Sequence, residues 1–402
     1  MARAIRETPE GPGALVGDEE DGTMPRRDVV AGEGAAPGAA RDFRAEARGV
    51  LQVEKHDYTD LRPNDRPAAQ GMAGFDPIYT DIVDYIIRCT HRIWDEKNVG
   101  LIYTHYAHNA VVYSSLGTTY SREEVIRATL QRIAEYPERR GLGTQVIWGG
   151  NDVEGFYSSH LVTSVGRVTA PGPYGLPTGR TFYARTIADC MVYRNRVYRE
   201  WLVRDNMGQL LQLGVDPDLV AERMAAEHAG RGVTAPQLGD SARLLGQEPP
   251  EERIDASIAA TEEEAHLLQL LHEIWNWRMF GRVREAYAPN AMWHGPRMRD
   301  LTGTASLTQQ LIALLAMVPD ASWTPHHVCS VENANEGGTK IAVRWTLEGH
   351  HSGWGVLGAP TMRPLFVMGM SQFHLVGGRI VEEYTLWDEL ALRVQLRLPQ
   401  AA

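Results

Sequence analysis

Apolar positions with helical spacing mark the start of the predicted folded part of this 402-residue chain. They are Ile82, Tyr85, Ile86, Cys89 and Ile93, at positions i, i+3, i+4, i+7 and i+11. This spacing is typical of one face of an amphipathic helix. Asp76 and Pro77 precede it, and Asp is a favoured N-cap while Pro is a favoured first helical residue. The pattern therefore predicts order from Asp76 onwards and a helix over this stretch.

Two capping-box sequences predict further helix starts. In a capping box, a Ser or Thr followed three residues later by Glu satisfies free N–H groups at the helix N-terminus. Ser121 with Glu124 opens one predicted helix, which runs over 121–135. Thr261 with Glu264 opens a second helix that is rich in Leu.

Strands are predicted in the later part of each half of the chain. Val, Ile, Tyr, Phe and Thr dominate 144–206 and 323–388, and short runs of these residues favour β-structure. A Gly- and Pro-rich stretch at 166–180 interrupts the first region and predicts a loop. Gly377-Gly378 predicts a two-residue hairpin turn, and Arg194-Asn195 holds the equivalent place in the first half.

The second half of the chain repeats the first. Residues 91–113 align without a gap with residues 272–294, and 8 of 23 positions are identical. Shorter matches follow in the same order, among them 136–138 with 318–320. Collinear blocks at nearly one offset predict an internal duplication. We therefore expect an α+β fold of two tandem lobes, each of which buries one face of a sheet against its helices.

Composition sets the predicted domain boundaries. Residues 1–70 are rich in Gly, Ala, Pro and charged residues and lack periodicity, which predicts a disordered leader. Lobe one is predicted over 71–227 and lobe two over 255–402. A linker at 228–254, rich in Gly, Pro and charged residues, separates them.

Charge, hydropathy and cysteine content exclude several classes of function. The formal net charge is −11 and no Lys/Arg cluster stands out, so we expect no nucleic-acid partner. No apolar run approaches the ~18 residues of a membrane span, and the N-terminus lacks the apolar core of a secretory signal. Three widely spaced cysteines form no CxxC pair. We therefore expect neither a disulfide framework nor a zinc site, and a cytoplasmic location.

Several short motifs resemble those of one known family. They are Glu200-Trp201 with Asp205-Asn206, Gln212-Leu213-Gly214, the Pro-bearing turns at 136–138 and 318–320, Pro177-Thr178-Gly179-Arg180, and Gly378-Arg379-Ile380 with Glu383. In order and spacing, over 76–225 and 258–398, they are similar to those of the SnoaL-like polyketide cyclases, which belong to the nuclear transport factor 2-like superfamily.

The resemblance implies two cone-shaped lobes, in each of which helices are packed in a curved antiparallel sheet that encloses a pocket. Members of the family are often homodimers packed through their sheets. The resemblance therefore also implies that the two lobes form an internal pseudo-dimer, with a homodimer of the whole chain as a further state. A small-molecule ligand is the expected partner.

Asp205 is the first candidate for a catalytic residue. In a strand, Trp201, Val203 and Asp205 share one face, so Asp205 faces the pocket if the other two do. A carboxylate in an apolar pocket has a raised pKa and can move protons near neutral pH. In SnoaL-like cyclases the matching Asp removes a proton alpha to a carbonyl, and Asp388 is the equivalent in lobe two. The alternative is that either aspartate caps the helix that follows it.

One histidine and several aromatic residues are further candidates. His160 lies on a predicted central strand and is a candidate acid–base group because imidazole as a side-chain type titrates near neutral pH, although a structural histidine is the alternative. The substrate-binding candidates are aromatic: Trp94, Tyr106, Trp201, Trp275 and Tyr384. They suit the wall of a small-molecule pocket, although core packing also explains them. The doublets His326-His327 and His350-His351 point to opposite faces of a strand, so we expect no metal site.

Absent motifs and the resemblance together favour one kind of chemistry. The sequence has no nucleotide-binding glycine loop, HExxH or GxSxG motif, so we expect no cofactor. The leading hypothesis is a cofactor-independent enzyme that acts by proton transfer on a small, partly apolar carbonyl compound, as an isomerase, cyclase or lyase. One alternative is a non-catalytic ligand-binding or assembly protein of the same fold. Another is an epoxide-hydrolase-like hydration that uses Arg185, Asp189 and Asp205.

Overall fold

The computed structural model describes residues 70–175, 177–238, 249–333 and 335–400. Within them the chain forms two six-stranded sheets with the same strand order, one in each half. The predicted α+β fold of two lobes is therefore confirmed. The predicted leader lies outside the described residues except for Gln70, whose N–H donates to the carbonyl of Thr80 at 3.2 Å.

The elements of the two lobes follow each other in matching order. Lobe one contains α1 (Ile82–Trp94), α2 (Ile102–His105), β1 (Tyr106–Ser114), β2 (Gly117–Tyr120), α3 (Arg122–Glu135), β3 (Arg140–Asn151), β4 (Gly155–Arg167), β5 (Thr181–Tyr193), β6 (Arg196–Arg204), α4 (Asn206–Leu213) and α5 (Pro217–Gly230). Lobe two contains α6 (Glu262–Trp275), α7 (Gly281–Ala286), β7 (Tyr287–Gly295), β8 (Arg299–Thr302), α8 (Thr304–Met317), β9 (Ser322–Glu332), β10 (Thr339–His350), β11 (Pro364–Val376), β12 (Arg379–Trp387) and α9 (Glu389–Gln395). The strand orders are β2-β1-β6-β5-β4-β3 and β8-β7-β12-β11-β10-β9.

Each sheet is mixed, whereas the sequence predicted an antiparallel one. Strand β1 follows α2 in the chain and pairs in parallel with β6, with Tyr113 opposite Trp201. Strand β7 pairs in the same way with β12. The remaining pairings are antiparallel. The prediction missed β1 because few of its residues are buried, which leaves only a weak apolar alternation.

Helix α1 begins later than predicted. Its N-cap is Asp81, whose side chain accepts a hydrogen bond from the N–H of Asp84 at 2.8 Å. Asp76 lies in the preceding segment, where its N–H donates to Oδ1 of Asn195 at 3.2 Å. The five apolar residues predicted for one helix face are all buried. The helix therefore has the predicted face, but Asp81 rather than Asp76 satisfies its free N–H groups.

Local signals correctly located the two helix starts predicted from capping boxes and both hairpin turns. Ser121 caps α3, and Thr261 forms a complete capping box with Glu264 at the start of α6. Two-residue turns join β5 to β6 and β11 to β12, as predicted. All four turn residues have positive φ angles: 44° at Arg194, 69° at Asn195, 56° at Gly377 and 75° at Gly378. Two successive positive φ angles give the turn type that matches the twist of paired strands.

The outer faces of the two sheets pack against each other, while the inner faces hold the helices. Apolar side chains of both lobes form one buried cluster: Leu161, Ile187, Trp201, Val203, Met368, Met370 and Leu386. Buried hydrogen bonds cross the same contact. Nε2 of Gln145 donates to Oε1 of Gln372 at 2.6 Å, and Nε2 of Gln372 donates to the carbonyl of Ser159 at 2.9 Å. Each sheet is therefore covered on both faces.

Among the residues that the structure describes, no helix combines the length and the apolar composition that a membrane crossing requires.

Candidate functional site

A cavity lies inside lobe one, between α1 and the inner face of the sheet. Its volume is about 90 Å³, against roughly 10–15 Å³ for a single water on the same measure. Part of its wall is apolar and is formed by Ile86, Ile93, Trp94, Val162, Phe182 and Leu202. The cavity therefore has room for a small organic ligand and a surface that would hold its apolar part.

Strand alternation decides which side chains reach the cavity. On β6, Glu200, Leu202 and Arg204 line it, because every second residue of a strand points to the same face. The residues between them, Trp201 and Val203, belong to the cluster that contacts lobe two. Ala184, Thr186, Ala188 and Cys190 of β5 line the cavity in the same way.

Glu200 is the one carboxylate among the described residues of the cavity wall. Its Oε2 atom accepts a hydrogen bond from the hydroxyl of Tyr106 at 2.9 Å. Burial raises the pKa of Glu200, while the hydrogen bond from Tyr106 and the charge of Arg204 oppose the rise. A carboxyl group of this kind holds its proton at a higher pH than a surface glutamate, which suits proton transfer.

The matching carboxylate of lobe two is held more tightly. Glu383 accepts hydrogen bonds from the hydroxyl of Tyr287 at 2.6 Å, from Nε1 of Trp293 at 3.2 Å and from the hydroxyl of Thr385. In lobe one, only the tyrosine is retained, because Val112 and Leu202 occupy the places of Trp293 and Thr385. Glu200 thus keeps an oxygen, Oε1, with no donor in the part of the chain that the structure describes.

Three arginines also reach the cavity wall. Arg132 comes from α3, Arg139 from the segment after it, and Arg204 from the end of β6. Burial, followed by the charge of Arg132, lowers the pKa of Arg139 to about 10 and that of Arg204 to about 10. These guanidiniums stay charged at neutral pH, so they make the cavity positive.

The structure places three of the predicted site residues on the cavity wall. His160, which is 3% exposed, points inward from β4. Trp94 lies at the end of α1 with the guanidinium of Arg139 over its ring, 5.3 Å from the ring centre. Tyr106 lies at the start of β1 and holds Glu200.

Asp205 does not face the cavity, which corrects the predicted strand parity. It caps α4 by accepting from the N–H of Gly208 at 2.9 Å. It also accepts from the N–H groups of Arg297 at 2.8 Å and Met298 at 2.7 Å, both in lobe two. Burial raises its pKa and these three backbone donors oppose the rise. Asp205 therefore occupies the capping role that was the alternative, and it joins the two lobes.

Asp388 has the same kind of position in lobe two. Its Oδ1 atom caps α9 by accepting from the N–H groups of Leu390 and Ala391, and its Oδ2 atom accepts from Nδ2 of Asn206 at 2.6 Å. Burial, assisted by the charge of Asp205, raises the pKa of Asp388 to about 6. Asn206 lines the lobe-one cavity, so Asp388 lies behind the cavity wall rather than inside a pocket of its own lobe.

Asp388 should make the stability of the protein depend on pH. Because its pKa is higher in the folded state than in the unfolded chain, its contribution is fully present below about pH 4 and is lost as pH rises through about 6. The rise from 3.8 to about 6 corresponds to about 3 kcal/mol. In Asp388→Asn, whose amide oxygen can still cap α9, this loss should vanish. Denaturant unfolding between pH 4 and pH 7 measures it.

The control for this experiment is Asp216→Asn, which changes the exposed N-cap of α5 in the same way. As pH rises from 4 to 7, the free energy of unfolding of Asp388→Asn should increase by about 3 kcal/mol relative to that of wild type. Asp216→Asn should show no comparable trend. Parallel pH profiles for wild type and Asp388→Asn would contradict the prediction.

The remaining aromatic candidates lie away from the cavity. Trp201 stacks on Tyr113 at 5.3 Å on the outer face of the sheet, with the lobe-two guanidinium of Arg344 3.7 Å from its ring centre. Tyr384 stacks on His294 at 4.2 Å and packs against the cluster between the lobes. Trp275 belongs to the packed core of lobe two. All three therefore serve packing, which was the alternative to substrate binding.

The predicted epoxide-hydrolase constellation is not assembled. Arg185 donates to Oδ1 of Asp300 in lobe two at 2.6 Å. Asp189 accepts from the hydroxyl of Tyr157 and lies 3.9 Å from Nε of Arg344. Both side chains project from β5 on the face opposite the cavity, because Thr186, Ala188 and Cys190 take the inner positions.

Tryptophans fill the interior of lobe two where lobe one has its cavity. Trp345 occupies in lobe two the position that Val162 occupies in lobe one. Trp345 pairs with Gly369, Val162 pairs with Thr186, and these two partners hold equivalent positions in their strands. A Cβ on Gly369 would lie 2.2 Å from the Trp345 ring, so the glycine makes room for the indole. The buried tryptophans of this interior are Trp275, Trp293, Trp323, Trp345 and Trp387. Lobe two is therefore built as a packed core.

Glu200 and the three arginines of the cavity wall were not among the site residues predicted from the sequence. A signal existed in the repeat. The lobe-two positions that match Arg132, Arg139 and Arg204 are Leu314, Ala321 and Trp387. Charged residues in one copy that replace apolar residues in the other indicate a site in the charged copy, because a core position gains nothing from an arginine.

Comparison with known proteins agrees with this fold. The profile of the family described as SnoaL-like polyketide cyclase matches residues 265–396. No curated protein sequence matches the chain significantly.

Solved structures of single lobes are similar to parts of the chain. A proposed SnoaL-like polyketide cyclase from Jannaschia sp. CCS1 is 19% identical, and the match covers 38% of this chain and 99% of that one, with a TM-score of 0.31. IdmH, a proposed polyketide cyclase from Streptomyces antibioticus, is 23% identical over 34% of this chain and 99% of that one, with a TM-score of 0.29. A proposed polyketide cyclase from Bacillus cereus ATCC 10987 is 22% identical over 39% and 99%, with a TM-score of 0.28. Over residues 265–396, lobe two of this chain is therefore similar to the SnoaL-like polyketide cyclase family.

Proposed function

We propose that lobe one is a cofactor-independent enzyme that moves a proton next to the carbonyl group of a small, partly apolar compound, with Glu200 as the acid–base residue. One observation carries the proposal. A half-buried carboxyl group with a raised pKa and a single bound donor lies on the wall of a cavity that could hold such a compound. Perturbed carboxyl groups in cavities are frequent at catalytic sites.

The proposed mechanism uses only side chains of this lobe. Ionised Glu200 takes a proton from the carbon next to the carbonyl, while the hydroxyl of Tyr106 keeps the carboxylate in place. Negative charge then develops on the carbonyl oxygen. The guanidinium of Arg204, which acts electrostatically on Glu200, and the imidazole of His160 are the groups that would stabilise it.

The fate of the enolate decides the reaction type. Return of the proton to a different carbon gives an isomerase, attack of the enolate on a second carbonyl gives a cyclase, and cleavage of a bond beside it gives a lyase. All three begin with the same proton transfer, so one assay tests the common step.

The test is exchange of the protons alpha to a carbonyl for deuterium, followed by NMR in D₂O. The probes are acetophenone, 1-indanone, 2-tetralone and 4-oxo-4-phenylbutanoate. We expect exchange of at least one probe above the buffer rate with the wild-type protein. Absence of enzyme-dependent exchange for every probe would contradict the proposal.

Non-catalytic ligand binding is the second candidate function. It is favoured by the positions of Asp205 and Asp388, because both residues that match the acid–base position of the family are caps outside the cavity. Under this hypothesis the protein would bind probes from the same set without exchanging their protons.

We propose in addition that the two lobes act as an internal pseudo-dimer, with the outer faces of the sheets already in contact. The apolar surface through which a single-lobe protein of this family would pair is then buried within one chain. Sedimentation equilibrium should give the mass of one 44.7 kDa chain. A stable dimer of the whole chain at micromolar concentration would contradict this expectation.

A further inference from the structure

The polar part of the lobe-one cavity carries more positive than negative charge. Three guanidiniums, those of Arg132, Arg139 and Arg204, reach its wall, whereas Glu200 is the one carboxylate among the described residues there. Like charges in one buried space repel each other and lose solvation, which destabilises the empty site. A ligand that brings an anion would remove that penalty.

The protein itself does not satisfy all of these donors. Nη2 of Arg139 donates to the hydroxyl of Ser164 at 2.6 Å, but its Nη1 atom is buried and has no acceptor among the described residues. Arg132 donates to Oε1 of Gln209 at 3.3 Å and lies 3.6 Å from Glu135. Because a guanidinium can only donate, this contact fixes the amide so that Nε2 of Gln209 is the free donor.

Gln209 supplies the second donor without an acceptor. It is fully buried and lines the cavity, and its Nε2 atom has no acceptor within hydrogen-bond distance among the described residues. The Tyr136 hydroxyl is a candidate acceptor, since the amide of Gln209 opposes the rise in the pKa of that tyrosine caused by burial. Buried donors of this kind are rare in native proteins, and each costs free energy unless a ligand or water accepts from it. Two such donors on one cavity wall indicate an acceptor-rich ligand.

The duplication shows that the fold does not need charge at these places. The lobe-two residues that match Arg132, Arg139, Arg204 and Gln209 are Leu314, Ala321, Trp387 and Leu392. All four are apolar and buried, and they belong to the hydrophobic core of that lobe. The arginines of lobe one are thus a property of its cavity rather than a requirement of its architecture.

We propose that the lobe-one cavity takes small organic acids, with the carboxylate of the ligand against Arg139, Arg132 and Gln209 and the carbonyl group beside Glu200. This inference deepens the proposed function, on which the place of the carbonyl rests. The apolar wall that includes Ile86, Trp94 and Phe182 would hold the hydrocarbon part of the acid.

A carboxylate fits this site better than a phosphate does. A guanidinium binds a carboxylate through two parallel hydrogen bonds, and Gln209 adds one more donor. A phosphate monoester carries nearly two negative charges at neutral pH, which would repel ionised Glu200 in the same cavity. The cavity volume of about 90 Å³ also favours a compact ligand.

The test compares two molecules that differ only in charge. The first is 4-oxo-4-phenylbutanoate and the second is its primary amide, which has the same shape but no charge. Phenyl phosphate serves as the third probe. Isothermal titration calorimetry at pH 7.5 with the full chain measures the dissociation constant of each.

We expect the acid to bind about ten-fold or more tightly than its amide, as hydrogen bonds to charged groups allow. In Arg139→Ala and Arg132→Leu, which introduce the residues of lobe two, this ratio should fall below about three-fold. Arg231→Gln removes an exposed arginine of the same lobe and should keep the ratio. Thermal unfolding of each variant confirms that it is folded. If Arg139→Ala is not folded, Arg139→Lys replaces it, because lysine keeps the positive charge but cannot form the paired hydrogen bonds of a guanidinium.

Equal affinity for acid and amide, no binding of either at millimolar concentration, or tighter binding of phenyl phosphate would overturn the inference. The proposed function fails separately. If the acid binds with the expected preference but its protons do not exchange, the ligand class stands and catalysis does not. If neutral ketones exchange and the acid has no advantage, catalysis stands and the ligand class does not.

Discussion

Replacement of Glu200 by glutamine is expected to lower the rate of α-proton exchange by about 10²–10⁴-fold, the usual contribution of a general base. Glutamine has nearly the same shape, and its side-chain oxygen can still accept from the hydroxyl of Tyr106. It cannot take a proton from carbon. The loss should therefore appear in exchange measured by NMR, while ligand affinity in calorimetry changes much less.

The duplication provides a matched control for this experiment. Glu383→Gln changes the equivalent carboxyl group of lobe two, which is bonded to Tyr287, Trp293 and Thr385 and lies in a packed core. This variant should exchange substrate protons at the wild-type rate, although it should lose stability. A similar loss of exchange in both variants would show that the effect on Glu200→Gln is structural.

The pH dependence of the exchange rate is an independent test of the role of Glu200. The base is the ionised form of Glu200, and burial raises the pKa of this group above its ordinary value of 4.5. The exchange rate should therefore rise with pH through a pKa higher than 4.5, and the rise should be absent in Glu200→Gln. A wild-type profile that is flat from pH 4 to pH 8 would contradict a role for this carboxyl group.

Local signals in the sequence predicted much of the fold. The capping residues Ser121 and Thr261 and the turn at Gly377-Gly378 act within a few residues of themselves, so their effect can be foreseen without the rest of the structure. Strand β1 was missed because it depends on a distant partner: it joins the sheet through β6, and few of its own residues are buried.

The candidate site was harder to predict, since β6 is covered on both faces. Trp201 and Val203 are apolar because they meet lobe two, and Glu200 and Arg204 are polar because they line a cavity. An alternation of apolar and polar residues normally marks the core face and the solvent face of a strand. Here the polar face points inward. The assumption that Trp201 faces the pocket therefore assigned Asp205 to the wrong side.

The family resemblance had a similar limit. It correctly suggested two cone-shaped lobes, yet it transferred the acid–base role to Asp205 and Asp388 by position. In this chain, backbone N–H groups from the following helix, and for Asp205 also from the other lobe, occupy these carboxylates. The comparison of the two lobes with each other was more informative than either position alone, because it separates residues that the fold requires from residues that one lobe has added.

Trp345→Ala is expected to lower the free energy of unfolding by about 3–5 kcal/mol, the range for loss of a large aromatic side chain from a core. Trp345 is 1% exposed, and its ring lies 5.7 Å from that of Trp275. Its Nε1 atom donates to the hydroxyl of Ser371 on β11 at 2.9 Å. The substitution therefore removes both packing and a buried hydrogen bond, and denaturant unfolding measures the loss.

The same variant should acquire an internal space where the indole ring of Trp345 now lies. Gly369 already leaves room for the indole ring, so removal of the ring empties that room rather than letting neighbouring side chains close it. Apolar cavities of this kind bind small aromatic molecules. Added indole should therefore raise the melting temperature of Trp345→Ala, because a ligand that binds only the folded state stabilises it.

Trp354→Ala is the control, because that tryptophan also lies in lobe two but is 75% exposed. It should change the free energy of unfolding by less than about 0.5 kcal/mol, as surface substitutions usually do, and indole should not stabilise it. If Trp345→Ala lost as little stability as Trp354→Ala, lobe two would not be a packed core. The two interiors are separated by both sheets and share no cavity-lining residue among those the structure describes. If folded Trp345→Ala kept the wild-type rate of proton exchange, the chemistry would therefore belong to lobe one alone.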